Sequence, residues 1–172
     1  MNSMFTRITS LLAGGTLAAV AAEPLAPGAA VPAVTQINHD GKAVKLAEVA
    51  SSGFVLFFFY PKADTPGCTK QACSLRDSWE TLQAKGVRIF GVSADDAESQ
   101  QAFRTKHKLP YDLLADTDRR VIDAFGVPRM LGFAKRQAYL FKDGKLVWRS
   151  LEASTERQAA DVLKALESDA AK

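Results

Sequence analysis

Phe54-Val-Leu-Phe-Phe-Phe-Tyr60, Pro61-Lys-Ala-Asp-Thr-Pro-Gly-Cys68 and Thr69-Lys-Gln-Ala-Cys73-Ser-Leu-Arg76 follow one another without a break, and the rest of the chain is read around them. The first piece is an apolar, aromatic run with the length of a buried strand, too short to favour an isolated helix. The second is a turn. Thr65 before Pro66 reads as a helix start: a capping hydroxyl, then a residue without the N–H that a first turn cannot use. Cys68 then falls in the first turn of the helix, close to free backbone N–H groups and the positive end of the helix dipole. That setting stabilises a thiolate, so a reactive cysteine is expected.

Cys73 is the other cysteine of the chain and lies five residues on, in the same predicted helix. Five helical residues rise about 7.5 Å and turn about 500°, so the two side chains point roughly 140° apart. Their Cα atoms would be ~8–9 Å apart, beyond the ~7 Å reach of a disulfide. The pair can bond only if helical turns unwind. Such a bridge closes a very short loop and constrains little of the unfolded chain, which favours a cycling pair over a structural one.

Pro61-x-x-x-Thr65-x-x-Cys68 resembles the active-site motif of the peroxiredoxins. The longer run Phe59-Tyr-Pro-Lys-x-x-Thr-Pro-Gly-Cys-Thr-x-x-x-Cys73 is similar to the bacterioferritin comigratory protein, or peroxiredoxin Q, subfamily. Gly91-Val-Ser-Ala-Asp95, Leu113-Leu-Ala-Asp116, Phe125-Gly-Val127 and Asp143-Gly144 fall where that family has similar segments. The resemblance runs from about Pro32 to the C-terminus. It implies an α/β, thioredoxin-like fold with a central, mostly parallel mixed sheet flanked by helices.

The resemblance also implies a chemistry. Cys68 would attack a hydroperoxide, with the departing alkoxide needing hydrogen bonds as its charge develops. Thr65 would offer its hydroxyl to sulfur or peroxide, and Pro61 would shield the pocket. An arginine from a distant strand would stabilise both thiolate and oxyanion; the matching position is Arg136, in Lys135-Arg-Gln-Ala-Tyr-Leu-Phe141. Arg129 and Arg149 are its rivals, because the segment before Arg136 is shorter than in many relatives. Cys73 matches the resolving cysteine, which condenses with the sulfenic acid on Cys68 to an intramolecular disulfide. A thioredoxin-like protein would then be the reductant. A monomer is expected, because an internal resolving cysteine needs no partner subunit. The alternatives are an exported thiol–disulfide exchanger of thioredoxin-like fold, disfavoured by the absence of Cys-x-x-Cys, and a redox sensor that signals by helix unwinding.

Outward from the motif, residues 1–22 read as a secretory signal peptide. Arg7 precedes an apolar, small-residue stretch, Ile8–Ala22, that ends in Ala19-Val20-Ala21. Export, to a periplasm in a Gram-negative host, and no stable membrane association after cleavage follow from that reading. An uncleaved anchor is disfavoured by the shortness of the stretch. A chloroplast transit peptide is disfavoured because such peptides are longer, with more Ser and Arg. Residues 23–31 are Ala- and Pro-rich and read as a linker, leaving one domain over 32–172. The net charge is +3, with Arg7 the sole charge in residues 1–22, so nothing calls for nucleic acid or an anionic membrane. His39 and His107 stand far apart without ligand spacing, so no metal is expected. Without a glycine-rich phosphate loop no nucleotide cofactor is expected either.

Secondary structure alternates. Val31–Leu46 reads as a hairpin turned at Asp40-Gly41. One helix is expected from Thr65 to Lys85, ended by Gly86, and a strand over Val87–Val92. A helix from Asp95 or Asp96 to Lys108, a strand over Tyr111–Leu114 and a helix opened by Thr117 or Asp118 follow. Two strands meet at Asp143-Gly144, and Ser154 or Thr155 caps a last helix.

Overall fold

The structure is a computed structural model, and it describes residues 23–171. The expected signal peptide, residues 1–22, lies outside the described residues. In chain order the elements are β1 Thr35–Ile37, β2 Ala43–Lys45, α1 Leu46–Val49, β3 Phe54–Phe59, α2 Pro66–Asp77, α3 Trp79–Ala84, β4 Val87–Ser93 and α4 Ala97–Lys106. Then come β5 Asp112–Ala115, α5 Arg120–Ala124, β6 Arg129–Met130, β7 Phe133–Ala134, β8 Gln137–Lys142, β9 Lys145–Ser150 and α6 Gln158–Ala170.

The aromatic run becomes β3, the middle strand of a five-stranded sheet of order β5-β4-β3-β8-β9. It pairs parallel to β4 and antiparallel to β8. β4–β5 is parallel and β8–β9 antiparallel, so the sheet is evenly mixed rather than mostly parallel. The reason is that β8 and β9 form a hairpin through Asp143-Gly144, both in left-handed backbone, and that hairpin docks on β3 with one antiparallel edge.

β3 reads as continuously apolar because both of its faces are covered. Leu56, Phe58 and Tyr60 point into one core with Leu75, Phe103, Tyr111 and Val162. Val55, Phe57 and Phe59 point into the other with Phe90, Phe125, Tyr139 and Phe141. Phe57 packs against Phe90, Phe125 and Phe141 with ring centroids 5.3–5.9 Å apart. Each buried aromatic of this kind contributes about 2–3 kcal/mol over an exposed one.

The expected single helix from Thr65 to Lys85 is two, α2 and α3, broken at Ser78. Buried Tyr111 donates its hydroxyl to the Ala72 carbonyl, six residues before the break. The β6–β7 hairpin, which carries exposed Met130, Leu131 and Phe133, was not anticipated; its strands are two residues each and leave no periodic trace. α5 opens not on Thr117 or Asp118 but after Arg119, and the carboxylate of buried Asp116 accepts from the N–H groups of Val121 and Ile122 in its first turn.

Residues 24–31 are tied along the domain. Leu25 N–H donates to Phe125 O, Gly28 N–H to Leu146 O and Val31 N–H to Gly144 O, and Arg149 Nη1 donates to the carbonyls of Pro24 and Leu25. Gly126 makes the crossing possible. Its φ is +65°, and a Cβ there would lie 2.0 Å from the Glu23 carbonyl oxygen. Among the described residues no helix is long and apolar enough to cross a membrane.

Candidate active site

The chain leaves β3 through Tyr60 and Pro61 and must turn back to start α2. Asp95, just beyond β4, holds that loop: its Oδ2 accepts from Ala63 N–H at 2.8 Å and from the Ser93 hydroxyl at 2.7 Å. Asp64 occupies left-handed backbone at φ 56°, a conformation Asp tolerates better than most residues. Thr65 is the N-cap of α2, with Pro66 at its first position, as the sequence predicts. The Thr65 hydroxyl does not cap the helix. It donates instead to the Lys62 carbonyl at 3.0 Å, which leaves its lone pairs free to accept from a bound group.

Cys68 lies in the first turn of α2, 1% exposed. Arg136, between β7 and β8, reaches it from 68 residues away: Nη2 is 3.4 Å from Cys68 Sγ. The rival arginines are engaged elsewhere, Arg129 with Asp123 and Arg149 with the carbonyls of Pro24 and Leu25. Gly67 leaves the space the guanidinium needs, since a Cβ there would stand 3.3 Å from Arg136 Nη2.

The sequence reading missed what holds Arg136. Its Nη1 donates to Oε1 of Gln71, and Gln71 Nε2 donates to Gln158 Oε1 at 2.9 Å. Both glutamines are fully buried, and Gln158 Nε2 has no hydrogen-bond partner among the described residues. Gln71 follows Cys68 by three residues and so shares its helix face. A polar residue at that position of an otherwise apolar face was the available signal. Gln158, on α6, carried none.

Cys73 sits on a different face of α2, partly exposed, and both thiols are free. Burial raises its thiol pKa above the ordinary value, partly countered by Arg76. Pro61 and Arg136 border a cleft of about 760 Å³ whose other walls include Met130, Phe133 and Leu151. The cleft meets the Cys68–Arg136 pair through Arg136; the Cys68 sulfur itself is buried behind it. His39 is buried, with Nδ1 accepting from Leu113 N–H, and among the described residues no three His, Cys, Asp or Glu side chains are gathered as metal ligands. Trp79 packs against Tyr111.

A sequence profile of the AhpC/TSA family matches residues 27–149. The chain is 40% identical over 146 residues to the chloroplastic peroxiredoxin Q of Suaeda salsa, covering 82% of this chain and 67% of that protein. It is 42% identical over 122 residues to the chloroplastic peroxiredoxin Q of Arabidopsis thaliana, covering 70% of this chain and 56% of that one. Among solved structures, peroxidoxin BcpB from Mycobacterium tuberculosis superposes with a TM-score of 0.76 at 32% identity, covering 83% of this chain and 96% of the other. The bacterioferritin comigratory protein of Xanthomonas campestris, solved in work on its alkyl peroxide reduction activity, gives 0.77 at 25% identity, covering 85% and 98%.

These relatives correct one expectation. The similar plant proteins are chloroplastic, which points to a plastid rather than to the periplasm expected from the N-terminal stretch. An arginine followed by a short apolar run reports affinity for apolar surroundings. The compartment is an address read by a receptor, and hydropathy does not carry it.

Proposed function

The chain belongs to the AhpC/TSA family and is a peroxiredoxin, a thiol-dependent peroxidase, and from that premise we propose that Cys68 is its peroxide-attacking residue. The observation that carries this reading is the 3.4 Å contact between Arg136 Nη2 and Cys68 Sγ in the first turn of α2. A guanidinium that cannot lose its charge thus faces the attacking sulfur. The same group lies where negative charge develops on the leaving oxygen.

The Cys68 thiolate attacks one peroxide oxygen. A sulfur–oxygen bond forms, the O–O bond breaks, and the departing alkoxide or hydroxide takes up a proton to leave as alcohol or water. Cys68 is then a sulfenic acid. Arg136 donates to the peroxide during the step, and Thr65 accepts from its O–H while its own hydroxyl proton stays on Lys62 O. Pro61 closes the cleft wall beside them.

Cys73 resolves the sulfenic acid. Its sulfur bonds to the Cys68 sulfur, the S–O bond breaks, and water leaves with the Cys73 proton. Both residues sit in α2, so this step requires local unwinding. A dithiol protein of thioredoxin type then takes the oxidation onto its own pair and restores both thiols. The resolving thiol lies within the chain, so a monomer suffices. Hydrogen peroxide and organic hydroperoxides are the substrates.

The test is a free-thiol count on the reduced protein after one equivalent of hydrogen peroxide, beside Cys68→Ser and Cys73→Ser. The cycle requires loss of both thiols in wild type, no reaction in Cys68→Ser and a trapped sulfenic acid in Cys73→Ser. Retention of both thiols in wild type overturns it.

A further inference from the structure

We infer that Asp64 and His107 form a positioning restraint that governs how fast the Cys68–Cys73 segment unwinds after Cys68 is oxidised; the inference rests on the cycle proposed above. Asp64 stands one residue before the N-cap of α2, and its carboxylate reaches across to the C-terminal end of α4. Oδ1 lies 2.7 Å from His107 Nε2 and Oδ2 lies 2.6 Å from Lys106 Nζ. The same histidine holds the other end of the segment, because its backbone carbonyl accepts from Arg76 Nη1 at 2.8 Å. Asp64 precedes Cys68 by four residues and Arg76 follows Cys73 by three. His107 is itself fixed, its ring packed edge-on against buried Phe103 with centroids 5.2 Å apart.

One residue at the end of α4 therefore grips both ends of the stretch that must rearrange. Unwinding from the N-terminal side pulls on Asp64, and unwinding from the C-terminal side breaks the Arg76 contact. None of these side chains is hydrogen-bonded to either sulfur, so the effect falls on the resolving step. That step condenses Cys68–SOH with Cys73–SH: the S–S bond forms, the S–O bond breaks, and hydroxyl and proton leave as water. Exposed ion pairs are individually weak, so the grip is loose enough to open at each turnover, and losing it should speed resolution about twofold to fivefold.

The experiment separates the two steps. Reduced protein is mixed with one equivalent of hydrogen peroxide; Cys68 oxidation is followed by competition with a peroxide-consuming reporter, and disulfide formation by rapid acid quench. Asp64→Asn keeps the side chain's shape and its tolerance for left-handed backbone but removes its charge. It is expected to oxidise at the wild-type rate and to form the disulfide about twofold to fivefold faster. His107→Ala should behave alike, and His107→Gln, which can offer an amide N–H to Asp64, should return towards wild type. Raising salt from about 0.05 to 0.5 M should speed resolution in wild type but not in Asp64→Asn, because salt screens an exposed pair. A residue needed only for folding would not give that pattern. Lys106→Gln, on the exposed side of α4, carries the same expectation should Asp64→Asn fold poorly. Unchanged or slower disulfide formation beside normal Cys68 oxidation overturns the restraint. A wild type whose Cys68 is not oxidised, or forms no bond to Cys73, overturns instead the cycle on which it rests.

Discussion

Arg136 Nη2 lies 3.4 Å from Cys68 Sγ although 68 residues separate them. The contact exists because β8 pairs with β3, whose C-terminal end launches the loop into α2. The strand pairing thereby places the guanidinium over the first turn of the helix, where Gly67 leaves it room.

Removing that guanidinium should slow peroxide attack. Arg136→Ala is expected to lower the second-order rate of Cys68 oxidation by about 10²-fold, the usual effect of deleting a donor to a developing oxyanion. Arg136→Lys should recover only part of the loss, since an ammonium cannot serve sulfur and Gln71 with one planar fork. Stopped-flow oxidation of the reduced protein reads both, and a wild-type rate in Arg136→Ala would exclude the assigned role.

Gln71 should matter twice. It accepts from half-buried Arg136 and donates to Gln158, the two glutamines being buried between α2 and α6. Gln71→Leu leaves Gln158 Oε1 unpaired and Arg136 unanchored. A loss of about 1–3 kcal/mol in denaturant unfolding is expected, the cost of an orphaned buried polar group. Cys68 oxidation should slow about tenfold, less than in Arg136→Ala, because the charge remains nearby. Full stability with a normal rate would count against the relay.

Burial raises the Cys73 thiol above its ordinary value of 9.0. Where the wound helix has the higher pKa, protonated Cys73 favours the wound state; that stabilisation is complete below the unwound value and is lost as pH rises through the folded one. Thiolate also accumulates with rising pH. Both effects make disulfide formation faster between about pH 7 and 9.5, without a plateau at neutral pH. Single-turnover quench measurements across that range check it, and a flat profile would contradict it.

Gly126→Ala should loosen the N-terminal segment. The new Cβ would meet the Glu23 carbonyl at 2.0 Å, and alanine resists the φ of +65°. The two strains together are expected to cost on the order of 1–3 kcal/mol and to detach residues 23–25 from Phe125. Limited proteolysis near Leu25 and a lowered Tm are the readouts. Unaltered protection there would show that the crossing is not held by this glycine.

Much of this was legible in local sequence because its causes are local. The continuous apolar run Phe54–Phe59, the Thr65-Pro66 helix start and the five-residue spacing of Cys68 and Cys73 each act over a few residues of backbone, so strand, turn, helix start and the separation of the two thiols could be read directly. Asp143-Gly144 marked its hairpin for the same reason. What depends on distant pairing was not legible. Propensity carries no information on whether β8 runs with or against β3, so the sheet was expected to be mostly parallel and proved evenly mixed. Arg136 was named through resemblance, with Arg129 and Arg149 left as rivals; only the placement of three strands distinguishes them by position. The Gln71–Gln158 relay and the Asp64–His107 contact join residues 87 and 43 positions apart. A chain's near-neighbour preferences determine its elements, whereas long-range contacts are decided only when those elements bury their apolar faces together and the polar groups left inside must find one another.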